Sequence, residues 1–413
     1  MARRIIYPEE RIGWAKLVPM GLQHVVAMFG ATVLAPLIMG FNPQTAIFFS
    51  GVGTLIFLFL TRFHVPSYLG SSFTFIGPVL AVTGGRPENI PFALCGIAGA
   101  AVLYGIAAAA TMKWGSGWVD KLMPPLVTGT VVTIIGLNLA SSSVANCLNS
   151  DFALRTGDDA VRLLIAAVTF LTAVSVSIFF RNFLSLLPIL SGVVAGYGLT
   201  AVLGRLDPAA LAAIKNAAWI GLPPFQTPSW SWQAIGVIAP VFIVLVAENK
   251  GHITAISSCL KRDLSPHLGR AYMGDAVATF VSAMGGGTPQ TTYAENMGVM
   301  AITKVFSVYN FVMAASIALI LGISPKFGAL IQSIPMPVLG GVTIVLYGLI
   351  AIMGVKIWVD AQVDFSEHKN LIVAGSSVIV ATGLGLKGLG VAGVNISGIT
   401  VGTLMALVLN GLL

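Results

Sequence analysis

Two carboxylates stand inside apolar stretches of this chain. Glu248 closes the run Val237-Ile238-Ala239-Pro240-Val241-Phe242-Ile243-Val244-Leu245-Val246-Ala247, and Glu295 sits in Thr291-Thr292-Tyr293-Ala294-Glu295-Asn296-Met297-Gly298, while most acids fall in loops. A charged side chain at the centre of a membrane helix costs about 2.5–3.5 kcal/mol on insertion scales, so each carboxylate needs a reason to be there. A buried ion pair would be the bland reason. Lys250, however, is two residues from Glu248 and points to another helical face, and Lys304 lies more than two turns from Glu295. The chemical reason is proton exchange: a carboxyl group shielded from water can gain and lose a proton near neutral pH, as a proton-coupled carrier requires. His252 follows Glu248 at i+4, on the same face, where it can hydrogen-bond the carboxylate or relay its proton. Two carboxylates also suit a neutral substrate with N–H donors. Backbone N–H groups freed at helix breaks before Phe73 and before Thr291 suit that substrate's carbonyl oxygens.

The elements that must position these groups are membrane spans. Of 413 residues, 56% are hydrophobic and 9% charged, against about 25% charged in a soluble domain. Fifteen acids and 22 Lys/Arg cannot coat a globule of this size, which excludes a soluble enzyme, a disordered chain and a secreted disulfide scaffold. An all-α polytopic membrane protein remains. At about 20 apolar residues per crossing, the chain reads as fourteen spans, near 17–38, 44–61, 66–83, 90–112, 123–142, 161–180, 184–204, 233–257, 272–286, 291–304, 306–324, 335–354, 370–386 and 394–413, with the third, ninth and tenth short or broken. Asn42-Pro43 marks the first break, and Arg181-Asn182 the one after the sixth span. The uncharged run from 17 to 61 is too long for a signal-peptide core and reads as permanent spans.

Charge gives the orientation. With the N-terminus inside, fifteen Lys/Arg, including Arg3, Arg4, Arg62, Arg181, Arg262 and Arg270, fall on the inner face, and seven, including Lys326 and Lys387, on the outer. That bias supports an even number of spans with both termini cytoplasmic. The net charge of +7 comes from scattered single residues and predicts no nucleic-acid partner. Cys95, Cys147 and Cys259 lie far apart and read as packing residues, and no second His or Cys stands near His252 at a metal-ligand spacing.

The third and tenth spans are odd in the same way. One opens Pro66-Ser67-Tyr68-Leu69-Gly70-Ser71-Ser72-Phe73 and the other Gly285-Gly286-Gly287-Thr288-Pro289-Gln290-Thr291-Thr292. Both put polar and helix-breaking residues at membrane depth, in corresponding places of two halves of seven. Interrupted spans at matching positions point to a transporter's binding site, and an odd number per half makes the halves inverted. Two glycine motifs, Gly383-Leu384-Gly385-Leu386-Lys387-Gly388 and Gly388-Leu389-Gly390-Val391-Ala392-Gly393, match G-x-G-x-x-G without a βαβ setting and read as the connection between the last two spans. No P-loop is present, so no nucleotide or other cofactor is expected beyond the coupling proton.

At these residues the chain resembles the nucleobase–ascorbate transporter family, also called nucleobase:cation symporter 2, in its bacterial uracil/pyrimidine permease branch. The resemblance covers essentially the whole chain. The signature reads Glu295-Asn296-Met297-Gly298 with Thr303-Lys304, the first-span pair Gln23-His24, the third-span motif Gly70-Ser71-Ser72-Phe73 and the eighth-span motif Ala247-Glu248 with Gly251-His252. It implies fourteen spans in two inverted repeats of seven, with short strands in the third and tenth. It implies a core domain of 1–122 and 233–325 and a gate domain of 123–232 and 326–413. It implies Glu248 and Glu295 as the carboxylates that bind the base, and the N–H of Phe73 on a substrate carbonyl. Ala294 stands where the family has a glycine in the same role, with Ser72, Tyr293 and Tyr347 also lining the site. His252 and Glu248 would couple the proton. Glu295 stands where purine carriers have Gln, which favours a pyrimidine. The expectation is a proton–uracil symporter of the bacterial inner membrane, an elevator-like homodimer in lipid. A xanthine or uric acid carrier, an anion carrier of the same architecture and an intramembrane enzyme using Gly70-Ser71-Ser72 are the competing readings.

Overall fold

Backbone N–H and C=O groups cannot be left unpaired where there is no water, and the fold can be followed from where each segment meets that demand. The computed structural model describes residues 4–148, 154–180, 184, 187–385, 388–391 and 394–413. Arg3, Arg181, Asn182, Leu386, Lys387, Ala392 and Gly393, named above, lie outside the described residues. The chain is mostly helical. Among the described residues, seven helices are long and apolar enough to cross a membrane. It divides into two compact units, Met1–Leu122 with Ala218–Gly328, and Met123–Ala217 with Ala329–Leu413.

In the first unit, α1 (Trp14–Met39) ends at Gly40, whose φ of 83° only glycine adopts freely. Asn42 then accepts from the N–H groups of Gln44 and Thr45, and Pro43 takes the first position of α2 (Pro43–Leu60), where its missing N–H costs nothing. Beyond α2 the chain extends into β1 (Leu69–Ser71), passes a 3-10 turn at Phe73–Phe75 and enters the short α3 (Ile76–Thr83), then α4 (Ile90–Trp114). After Ala218 the unit resumes with a helix at Trp232–Ile238 and a 3-10 turn at Ala239–Val241 that Pro240 imposes on the expected eighth span. Then follow α5 (Phe242–Leu260), α6 (Leu268–Met284), β2 (Gln290–Thr292), α7 (Ala294–Thr303) and α8 (Val308–Gly322). The expected ninth span, read as short or broken, is the continuous 17-residue α6. Residues 218–232, expected with the second domain, belong to this unit: Gly221 N–H donates to Ile323 O, Ser229 N–H to Pro91 O, and Phe225 packs edge-on against Phe48 and Phe49.

β1 and β2 pair antiparallel, Leu69 opposite Thr292, Gly70 opposite Thr291 and Ser71 opposite Gln290. Ser72 N–H to Pro289 O (2.9 Å) and Tyr293 N–H to Tyr68 O (3.1 Å) lengthen the ladder at both ends. A two-stranded ribbon still has two open edges. Leu69 N–H donates to Thr54 Oγ1 of α2 at 2.9 Å, and Thr279 of α6 both accepts from Gln290 N–H and donates to Gln290 O, each at 3.0 Å. Gly70 is required beneath the Tyr293 ring, since a Cβ there would stand 2.5 Å from Tyr293 Cζ.

In the second unit a long helix, Met336–Asp360, packs against Pro125–Asn138, Ala140–Cys147, Gly157–Phe179 and Pro188–Val202. Thr156 and Asp159 form a capping box at the start of Gly157–Phe179. The last two helices, His368–Leu384 and Gly398–Leu412, pack together. The expected span from 394 starts later: Val394–Ile396 pairs with Leu389–Val391 as a hairpin, and Ser397 accepts from Thr400 N–H to open the helix at Gly398.

Thr279→Val keeps the shape of the side chain and strands both the N–H and the C=O of Gln290, at about 1–3 kcal/mol for each unsatisfied group. Thermal unfolding in detergent should show a lowered midpoint for Thr279→Val and near-parental behaviour for Thr279→Ser.

Candidate functional site

The ribbon delivers two helix starts to one region of the first unit. Neither is capped by a side chain: Ser72 precedes the Phe73–Phe75 turn and Tyr293 precedes α7 without a capping hydrogen bond. The first N–H groups beyond the lengthened ladder, those of Phe73 and Ala294, therefore stand at the positive ends of their helices. Glu295 lies in the first turn of α7, where that field favours a negative charge.

Glu248 comes from α5. Its Oε2 accepts from Thr74 Oγ1 at 3.0 Å, which ties it to the turn after β1. Glu248 and Glu295 lie within electrostatic reach of each other, and both are half-buried rather than sealed in the core. His252, one turn further along α5, is also half-buried. Its Nδ1 meets Thr292 Oγ1 at 2.8 Å, and among the described residues no hydrogen bond joins it to Glu248. The histidine is thus held to β2, and the carboxylate to the turn after β1, so that α5 bridges both strands.

Phe73 is half-buried beside this region, and Ser72 is buried with its hydroxyl oxygen lacking a partner. The backbone of Ala294 opens α7. Tyr293 is 3% exposed and acts as a brace: its hydroxyl accepts from Thr32 Oγ1 (3.2 Å) and donates to Ser71 O (3.1 Å). Tyr347 is buried on Met336–Asp360 of the second unit. Behind α7, Asn296 donates to the backbone O of His24 at 3.1 Å and lies at the same distance from His24 Nδ1, linking two signature residues of α1 and α7.

Sequence reasoning missed a third acid. Asp275 of α6 is fully buried and accepts a hydrogen bond from the side-chain amide of Asn249, the neighbour of Glu248. Tyr104 and Tyr272 pack tilted against each other, and their hydroxyls donate to Leu245 O and Val246 O on the same stretch of α5. Asp275 lies within the apolar stretch read as the ninth span, and that was its signal. Thr74 and Thr292, which hold Glu248 and His252, carried no comparable signal, because threonine in a helix or strand usually needs no polar partner beyond its own backbone.

Two half-buried carboxylates beside uncapped backbone N–H groups offer acceptors and donors to one planar molecule carrying both N–H and C=O groups. Asp275→Leu leaves the Asn249 amide without its acceptor in a dry site, at about 1–3 kcal/mol. Asp275→Asn can keep a hydrogen-bonded pair and should cost less, and chemical denaturation of the two variants in detergent reads the difference.

A model of a permease family matches residues 15–387. A protein of Escherichia coli (strain K12) assigned as the pyrimidine permease RutG is 46% identical over 387 residues, covering 92% of this chain and 86% of the relative. The uracil permease of Paenibacillus larvae subsp. larvae is 39% identical over 384 residues, covering 92% and 90%. Among solved structures, the transmembrane domain of the cyanobacterial bicarbonate transporter BicA superposes with a TM-score of 0.65 at 14% identity, covering 98% of this chain and all of that one.

Proposed function

This chain belongs to the nucleobase–ascorbate transporter family, and on that premise we propose that it imports uracil together with a proton. The observation that carries the reading is the pairing of Glu248 and Glu295 beside the uncapped starts at Phe73 and Ala294. Uracil presents N–H and C=O groups along its edge. The carboxylates accept from its N–H groups, and the backbone N–H groups of Phe73 and Ala294 donate to its carbonyls. Ser72, whose hydroxyl is unspent, and Tyr293 line the site from the ribbon.

Glu248 takes the coupling proton, with His252 assisting through its place on the next turn of α5. When Glu248 is protonated it gives up one acceptor and gains a donor, so proton and base occupancy are coupled at one atom. One proton moving with a neutral base gains about 2.3 kcal/mol per 100 mV. At about 1.4 kcal/mol per tenfold, that supports roughly fiftyfold accumulation per 100 mV, enough for scavenging without ATP.

The first unit is read as the moving core and the second as the gate, in fourteen spans arranged as two inverted repeats. The proposal includes a homodimer in the bacterial inner membrane with both termini cytoplasmic. The permeases compared above are named for pyrimidine or uracil, and Glu295 supports a pyrimidine over the purines xanthine and uric acid.

In proteoliposomes with an inward proton gradient, labelled uracil should accumulate, and a protonophore should abolish that accumulation. Glu248→Gln should lose concentrative uptake, and Glu295→Gln should weaken uracil competition by about tenfold, the worth of one charge-assisted hydrogen bond. If Glu248→Gln concentrates uracil as well as the parent does, the coupling role assigned to Glu248 is wrong.

A further inference from the structure

A cavity of about 530 Å³ opens at the end of the first unit where α2, α4 and α6 terminate or begin, lined by Phe59, Leu60, Arg62, Phe63, Met112, Arg270 and Met273. Its walls are apolar and its only charges are two guanidinium groups. Phe59 is 70% exposed and Met112 50%, so the rim opens sideways to whatever surrounds the helices. In a membrane protein that is acyl chain. Arg62 and Phe63 both sit in the left-handed backbone region, with φ of 53° and 58°, and Gly269 admits Met112 so closely that a Cβ would stand 2.6 Å from Met112 Cγ. The cavity is therefore shaped by a backbone that non-glycine residues adopt only at a cost.

The charge around it is unbalanced. Among the described residues, neither Arg62 nor Arg270 has a carboxylate within ion-pair distance, and the nearby Arg262 is paired with Glu9. His64 and His267 stack with ring centroids 4.6 Å apart. Burial first, and then the neighbouring His64, Arg270 and Arg262, hold the His267 ring below its ordinary pKa. Arg62 and Arg270, beside an apolar groove and without an ion-pair partner among the described residues, are the complement of an anion with a hydrocarbon tail.

We propose that this cavity binds one anionic glycerophospholipid, its phosphodiester on Arg62 and Arg270 and an acyl chain along Phe59, Phe63, Met112 and Met273. A free phosphate would satisfy the arginines and leave the apolar walls uncovered, so the lipid is the occupant that fits both. The site lies at the ends of α2 and α6, the two helices whose threonines close the edges of the ribbon. Lipid there would hold those helices together at a point remote from the carboxylates.

The test is native mass spectrometry of the full-length protein released from detergent, after titration with dioleoyl phosphatidylglycerol, dioleoyl phosphatidylcholine or inorganic phosphate. One phosphatidylglycerol should be retained per chain and not be displaced by phosphatidylcholine or phosphate. Arg62→Gln/Arg270→Gln should weaken its retention by about thirtyfold, as two basic groups near a lipid surface are worth. Phe59→Asp, which sets a carboxylate against the acyl chain at a position 70% exposed, should weaken it as well, and it decides the matter if the double variant aggregates. Equal retention by parent and folded variants overturns the proposal, as does displacement by inorganic phosphate alone.

Discussion

An antiparallel ribbon of two three-residue strands is a poor object to place in a membrane, because each strand has an outer edge and neither edge meets water. The first unit is organised around that constraint. Thr54 closes one edge from α2, and Thr279 closes the other from α6. Ser71 and Ser282 both hydrogen-bond to Thr288 just before β2, and Tyr293 lies over Gly70 and fastens the ribbon to α1. Where the strands give way to helices, the N–H groups of Phe73 and Ala294 open their turns without a side-chain cap. These are the donors beside which Glu248 and Glu295 stand.

Much of this was legible in the residues. Proline and glycine in 66–73 and again in 285–292 break a helix, and each stretch holds one of the two strands. Asn42-Pro43 became a capped helix start. Glu248 and Glu295 stood out because charge is rare in apolar runs, and they were brought to one region. What could not be read was tertiary. Asp275 pairs with Asn249 from a different helix, and no spacing along the chain relates those two. The i+4 relation placed His252 on the face of Glu248 correctly, yet its ring is held by Thr292, a partner that only the path of β2 supplies. Pro240 sits in an apolar run long enough to span, and its 3-10 turn follows from the missing N–H rather than from hydropathy.

The likeness to a bicarbonate transporter's membrane domain at 14% identity shows how little the fold says about cargo. A scaffold of interrupted helices with free N–H groups at its centre supplies donors of positive potential, and by themselves these would suit an anion. In the reading proposed here, two side-chain carboxylates turn the same scaffold toward a neutral ring that brings its own donors. Selectivity then resides in a few atoms added to a shared backbone.

The ribbon also fixes an order of events in synthesis. Ser71 and Thr288, which touch across it, are 217 residues apart in the chain. At translation speeds of roughly 5–20 residues per second, β1 leaves the ribosome on the order of 10–40 s before its partner exists. During that interval β1 lacks its partner strand, while Thr54, already made, can hold the N–H of Leu69. The nascent first half must wait near the insertion machinery or in a partly wetted state. The apolar helices can enter the bilayer in sequence, but the ribbon closes only when β2 arrives.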